Sequence, residues 1–428
     1  MFVSRSFLIP LGLIIPLSIT FGTTINYDES LIPDYTLPEL LVCSDGAPVE
    51  TAQDWMGKRR PEVLELFRDE VYGRRPGPPP MVEYRLLESS DQALGGSAIR
   101  KQIRITVHGT DPDRTASFDL LLYIPSKVKK PAPAFVGLNF KGNHTVIDDP
   151  EVLLARPWTG TKPDGEVVAY SPEDQARGSS SSRWPITAII GRGYAIGTVY
   201  YGDIDPDFHD GFKNGVHALF RQAGEEGHAP DSWGTIAAWS WGLSRVMDYL
   251  ETDSDVDASK VAVIGHSRLG KTSLWTGAED PRFAMVISND SGCGGAALSR
   301  RRIGESVERI NTSFPHWFCD NYKEFNGNED ASSVDQHMLI ALIAPRPVYV
   351  ASAIEDRWAD PRGEFLSTKL AAPVYSLFGL AALQDVEEAT VDEPVGSGAM
   401  YYHVRSGGHD VTAFDWEQYL SVADQFLK

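Results

Sequence analysis

Apolar positions recur at every second residue through Ile103, Ile105 and Val107, and again through Phe118, Leu120, Leu122 and Ile124. A period of two marks a strand buried on one face, and it predicts strands over 99–107 and 118–124, with a third over 81–87, as an antiparallel opening to the fold. Ahead of them the spacing changes. Val63, Leu64, Phe67 and Val71 share one side of a helix over 61–72, and Arg74-Arg75-Pro76-Gly77-Pro78-Pro79-Pro80 breaks it.

Further on, the apolar runs become short and largely unbroken, at 134–139, 283–288 and 347–353, with another at 261–266 leading into Ser267, and 401–405 reads as a further short strand. Unbroken runs suit strands covered on both faces. Residues 185–201 read as helix then strand, 236–250 as an amphipathic helix, and 414–427 as a closing helix with Phe414, Trp416, Tyr419, Leu420, Val422 and Phe426 apolar. Asp257-Ala258-Ser259 reads as a turn that ends the element before the 261–266 run. Strands alternating with helices predict an α/β fold: a mostly parallel central sheet, right-handed crossovers, flanking helices and antiparallel N-terminal strands. Residues 59–428 are read as one domain, with surface insertions at 146–184, where serines fill 179–182, and at 380–397; residues 23–58 read as an irregular N-terminal arm.

Residues 1–22 open with Arg5, continue as an apolar run from 7 to 21, and end near the small residues Thr20, Gly22 and Thr23. This is the pattern of a signal peptide, interrupted by Pro10 and Pro16 and too short to span a bilayer, so the expected location is secreted or periplasmic. A hydrophobic share of 42% in 428 residues supports an ordinary packed core. The net charge of −20 excludes nucleic acid and anionic membrane surfaces as partners, since both would be repelled. A monomer is expected. Of the three cysteines, Cys293 and Cys319 are the pair expected to bridge in an oxidising compartment, leaving Cys43 free. Neither C-x-x-C nor H-E-x-x-H occurs, so no metal site and no cofactor are expected. Asp203, Asp205, Asp207, His209 and Asp210 alternate like a calcium loop. Phe208 stands where that loop needs glycine and Asn214 where it needs the bidentate Glu, so a solvated loop is the expectation.

The chemistry begins at 261–271, Val-Ala-Val-Ile-Gly-His-Ser-Arg-Leu-Gly-Lys, a strand turning into a helix with Ser267 at the bend. This is where an α/β-hydrolase carries its nucleophile, although Leu269 stands at the second glycine position of G-x-S-x-G and the glycine comes one residue later, at Gly270. The competing reading is a serine that simply caps a helix. His409 decides between them. It lies in Ser406-Gly407-Gly408-His409-Asp410, after the last strand and before the last helix, which is the place of the triad histidine in the hydrolase order Ser, acid, His. A carboxylate must hold the histidine tautomer, and two stand at strand ends, Asp290 and Asp356, either of which could do so.

Gly265-His266-Ser267-Arg268-Leu269-Gly270-Lys271 resembles the G-x-S-R-x-G-K signature of the glucuronoyl esterases, carbohydrate esterase family 15, and Asp290-Ser291-Gly292-Cys293-Gly294-Gly295 is similar to that family's E-S-G-x-G-G block. Pro315-His316-Trp317-Phe318, Leu342-Ile343-Ala344-Pro345-Arg346, Trp358 and Gly408-His409 follow in the family's order, and His266 replaces a fungal disulfide cysteine, as in bacterial members. The resemblance covers roughly 60–428. It implies attack by Ser267 on esters of 4-O-methyl-glucuronic acid, as in lignin–glucuronoxylan links, through a glucuronoyl-enzyme. It further implies Arg268 as oxyanion stabiliser, and Lys271, Glu305 and Trp358 as the sugar site. The family's usual acid is Glu where this chain has the shorter Asp290, which favours Asp356 as the orienter of His409 with Asp290 as helper. An acetyl or other carbohydrate carboxylesterase on the same triad, and a non-catalytic binding protein of hydrolase fold, are the competing functions.

Overall fold

The alternating stretches pair antiparallel as β1 (Met81–Gln92), β2 (Ala98–His108) and β3 (Thr115–Pro125). The structure, a computed structural model, describes residues 25–111, 113–220, 228–380 and 383–428, so the leader expected at 1–22 lies outside the described residues. β4 (Ala132–Asn139) follows, then a separate two-stranded ribbon of β5 (Trp158–Thr161) and β6 (Val167–Tyr170) within the 146–184 segment. The remaining strands are β7 (Ala195–Tyr200), β8 (Val256–His266), β9 (Met285–Asn289), β10 (Val348–Ala353), β11 (Val395–Ser397) and β12 (Met400–Arg405). Among the described residues the main sheet runs β1-β2-β3-β7-β4-β8-β9-β10-β12-β11, parallel from β7 through β12 and antiparallel elsewhere.

Six helices matter to the site: α1 (Arg60–Glu70), α2 (Ile186–Gly191), α3 (Thr235–Leu250), α4 (Arg268–Glu279), α5 (Pro361–Leu377) and α6 (Ala413–Phe426). Successive residues of β8 point to opposite faces. Val261 and Val263 enter the cluster built by Phe67 of α1, Trp239 and Leu243 of α3 and Trp275 of α4, while Ala262 and Ile264 meet Ile189 of α2 and Trp416 and Tyr419 of α6. Each large apolar side chain so buried contributes roughly 1.5–3 kcal/mol, so the strand that ends at Ser267 is clamped from both sides. Among the described residues no helix is long and apolar enough to cross a membrane.

Three expectations change. The turn expected at 257–259 lies inside β8; Asp257 Oδ1 accepts from the amide of Ser259 at 3.1 Å, a local turn-like bond absorbed where the β4–β8 register shifts. The arm is irregular only as far as Thr51, which caps a helical run continuing through Trp55–Arg59 into α1; Leu40, Val49 and Trp55 are part of the main core. Cys293 and Cys319 form no disulfide: all three cysteines are buried free thiols. Cys319 Sγ donates to the carbonyl of Asp69 at 3.6 Å, whereas Cys293 lies among the charges of Glu305 and Lys271, with the Phe318 ring against neighbouring Gly294. Sequence spacing carries no information on whether two Cβ vectors converge.

Candidate active site

Ser267 sits between β8 and α4 at φ 59°, ψ −129°, a region costly for a non-glycine residue. The strain is held by backbone bonds: its N–H donates to Asn289 O at 2.9 Å, and its carbonyl accepts from Gly270 and Lys271 at 2.8 and 3.1 Å. A Cβ on Gly265 would stand 1.8 Å from the carbonyl of Leu269, and one on Gly270 would stand 2.9 Å from Ser291 Cβ. The second glycine therefore belongs at 270, where α4 passes the end of β9, and Leu269 at the usual position is accommodated. The Ser267 side chain makes no capping bond, so helix capping is not its role.

β12 ends in Arg405, whose guanidinium donates to the carbonyls of Ser406 and Gly408 at 3.0 Å each and to that of Asp410, shaping the loop that presents His409. Arg405 is itself fixed by Asp415 of α6 at 2.8 Å. His409 Nδ1 lies 2.6 Å from Asp356 Oδ2, just past β10, so the carboxylate accepts a hydrogen bond from Nδ1–H and Nε2 is left as the basic nitrogen. Asp290, after β9, comes near: one atom from each of Asp290, Asp356 and His409 lies within 4.8 Å of the others. Yet both Asp290 oxygens are buried without a hydrogen bond, and Arg405 approaches only to 3.5 Å. Burial first, then the charges of Glu364 and Asp356, push its carboxyl well above the usual range.

His266 packs its ring 4.4 Å from that of His409. Burial, then the charge of His409, holds its pKa well below the ordinary value, so it is neutral. Asn289 donates its amide to Asp415 at 3.3 Å and meets Tyr419 Oη at 3.0 Å, which turns its carbonyl oxygen toward His266 Nδ1 at 2.6 Å. His266 therefore carries its proton on Nδ1.

Arg268, the first residue of α4, pairs with Asp207 and lies over the Trp317 ring at 4.8 Å. Asp207 also accepts from Trp317 Nε1 at 2.7 Å and sits 2.9 Å from His316 Nε2. Burial pushes its carboxyl up, but the His316 bond and the Arg268 charge outweigh this and hold it at about 2. The acidic run is thus no solvated loop. Asp205 is buried against His217 at 3.1 Å, and Asp207 locks the guanidinium beside Ser267, with Arg268 Nε buried and unspent as a donor.

Lys271, one turn beyond Ser267, is buried, donates to the carbonyl of Ser291 at 2.6 Å, and lies 3.8 Å from Glu305 Oε2. Glu305 is buried just ahead of a short helix over Val307–Ser313; its amide donates to the carbonyl of half-buried Trp358 at 3.0 Å. Burial raises its pKa, with Lys271 and the Trp358 side chain pulling the other way. The three residues expected at a sugar site thus lie together, Lys271 one helical turn beyond the serine and Glu305 and Trp358 brought to it from two other loops.

A family model described as glucuronyl esterase, fungi, matches residues 227–379. Carbohydrate esterase MZ0003, from an unknown prokaryotic organism, is 49% identical over 94% of this chain and 92% of its own length. The chain belongs to the glucuronoyl esterases of carbohydrate esterase family 15. It is a carboxylic ester hydrolase of α/β-hydrolase fold. The glucuronoyl esterase from Solibacter usitatus superposes with a TM-score of 0.86 at 47% identity, covering 93% of this chain and all of its own. A promiscuous esterase of the same family, from a marine bacterial metagenome, reaches 0.84 at 49% identity over 94% of this chain and all of its own. In this esterase the sequence reading took Asp207 for part of a solvated loop and missed the parts played by Arg405, Asn289 and Glu364.

Proposed function

We propose that this esterase hydrolyses esters of glucuronic acid and its 4-O-methyl ether, as found between glucuronoxylan and lignin, through Ser267, His409 and Asp356. His409 Nε2 takes the Ser267 proton as Oγ bonds to the ester carbon. The C–O bond to the alcohol then breaks, and the alcohol oxygen leaves with that proton. Water repeats the sequence on the glucuronoyl-enzyme, with His409 again as base. Arg268, held by Asp207, stabilises the oxyanion together with the N-terminus of α4. Lys271, Glu305 and Trp358 bind the sugar hydroxyls, and Asp290 serves as a neutral neighbour to the His409–Asp356 pair. The observation that carries the reading is the contact of buried Lys271 and Glu305 with half-buried Trp358, Lys271 standing one helical turn beyond the uncapped serine, a set of charged and aromatic groups that a plain acyl ester would not require. Curated relatives named 4-O-methyl-glucuronoyl methylesterase, such as that of Phanerochaete chrysosporium at 27% identity over 82% of this chain, support the substrate class.

The deciding experiment compares methyl glucuronate with methyl galacturonate and an acetylated sugar. Preference for the glucuronate by an order of magnitude or more is expected; preference for the acetylated sugar would overturn the assignment. A broader carbohydrate esterase activity on the same triad is favoured by one observation, the promiscuity of the marine relative, and it would show as comparable rates on all three. The leader at 1–22 supports a secreted or periplasmic enzyme, and N-terminal sequencing of the mature chain tests it.

A further inference from the structure

His409 is held at one edge and rides on a loop that gives it little other support. Its side chain is 43% exposed, Nδ1 meets Asp356, and a Cβ on the preceding Gly408 would have nothing within 4 Å. One hydrogen bond fixes where a ring nitrogen points but lets the imidazole swing about that bond, because the terminal torsion of histidine has broad minima. A general base must keep its other nitrogen within roughly 2.6–3.2 Å of the group whose proton it takes. A second contact is needed to stop the swing.

Among the described residues one ring packs on His409, that of His266, with centroids 4.4 Å apart and planes at 41°. His266 is the buried last residue of β8, and Phe140 meets it at right angles with centroids 6.2 Å apart. Its Nδ1–H donates to Asn289 Oδ1 at 2.6 Å, and Asn289 is fixed in turn by Asp415 and Tyr419. Asp415 also binds Arg405, which shapes the His409 loop, so a single carboxylate anchors both the ring behind the histidine and the loop that carries it. Asp290 comes only to 4.0 Å of His266 Nδ1, and His266 Nε2 is buried without a partner. A proton there would leave a buried N–H unpaired and a charge beside the imidazolium that forms on His409, so the ring acts as a neutral wall.

We propose that His266 is a positioning residue for the reaction: its ring keeps His409 turned toward Ser267 while Asp356 holds the far edge. The proposal deepens the triad reading and rests on His409 being the general base. His266 gives and takes no proton, so its effect should fall on kcat and be the same for esters with and without a sugar.

The test measures kcat and KM per active site, titrated with a serine-reactive phosphonate, on methyl glucuronate and on 4-nitrophenyl acetate. His266→Ala should lower kcat about 10–100-fold on both esters and leave KM within about twofold, as slack of an ångström in a catalytic group does. His266→Phe restores a flat ring without a titratable nitrogen and should return kcat to within about fivefold of the wild type. A loss confined to KM, an unchanged kcat in folded His266→Ala, or a phenylalanine variant no better than the alanine one would overturn the proposal. If either variant fails to fold, NMR on the wild type with ring-labelled histidines decides: an Overhauser contact between the two imidazoles should be present in the free enzyme and persist in the phosphonate adduct, and its absence from either rejects the role. His409→Ala separates the two readings. Near-normal turnover in that variant would bring down the triad and this inference with it, whereas an inactive His409→Ala beside an unimpaired His266→Ala would bring down this inference alone.

Discussion

Asp356 and Asp290 both stand near His409, but only Asp356 bonds it, and that difference governs what their loss would do. Asp356 makes the 2.6 Å contact to His409 Nδ1, so Asp356→Asn should lower turnover by about 10³–10⁴-fold through loss of the tautomer and of support for the imidazolium. Burial and the charges of Glu364 and Asp356 favour the neutral form of Asp290, whose oxygens make no hydrogen bond, and asparagine imitates that form, so Asp290→Asn should keep turnover within about tenfold. Steady-state kinetics on methyl glucuronate check both, and the reverse ranking would move the acid to Asp290. Arg268→Ala should cost about 2.7–4 kcal/mol, mainly in kcat, because the oxyanion exists only after attack. Lys271→Ala should instead raise KM for glucuronate esters and spare esters that carry no sugar; equal losses on both would mark Lys271 as structural. Ser267 and His409 were legible because each sits at a turn whose residues advertise it. Asp207 was not: its worth lies in contacts with Arg268, His316 and Trp317, all distant in sequence, and an alternating acidic run looks the same whether buried or solvated.

At the scale of elements, the strands were legible where apolar residues dominate a short run, since β4, β9 and β10 are buried on both faces. The start of β8 was not legible, because Asp257 and Ser259 form a turn-like bond that the sheet absorbs as an irregularity. Nor was the tie between α6 and the histidine loop. Asp415 accepts from Thr412 at the start of α6, lies 2.9 Å from His403 Nε2, and binds Arg405, so one carboxylate couples a helix cap to the loop that carries His409. Asp415→Leu removes the partner of a buried guanidinium and should destabilise the fold by roughly 3–5 kcal/mol. Asp415→Asn keeps the shape and should lose less stability while still lowering kcat, since Arg405 would no longer be held as firmly against the loop carbonyls. Denaturant midpoints measured alongside kcat check this; unchanged kcat in a folded Asp415→Asn protein would separate the helix cap from the catalytic loop.

Over the whole molecule, the fold class was legible but the strand order was not, because local periodicity says which residues face a core and nothing about which strand lies beside which. One consequence of the assembled sheet is a row of carboxyls at the ends of β9 and β10, and it makes stability depend on pH. Glu364 of α5 is fully buried there, accepting from the amides of Ser291 and Gly292 at 2.8 and 2.9 Å and bonding Ser352 Oγ at 2.5 Å. Burial pushes its pKa from 4.5 up to about 7. Between those values the folded chain holds a proton that the unfolded chain has released, so stability falls as pH rises through this window and the loss is complete above the folded pKa. The shift corresponds to roughly 3 kcal/mol. Glu364→Gln places an amide N–H where the protonated acid has its O–H toward Ser352, so it should fold and remove this dependence: the fall in Tm between about pH 5 and 8 should be shallower than in the wild type, with the two proteins closest, or their order reversed, at the alkaline end. Parallel Tm–pH curves for the two proteins would mean that Glu364 is ionised in the fold throughout and that its hydrogen bonds from Ser291, Gly292 and Ser352 outweigh its burial.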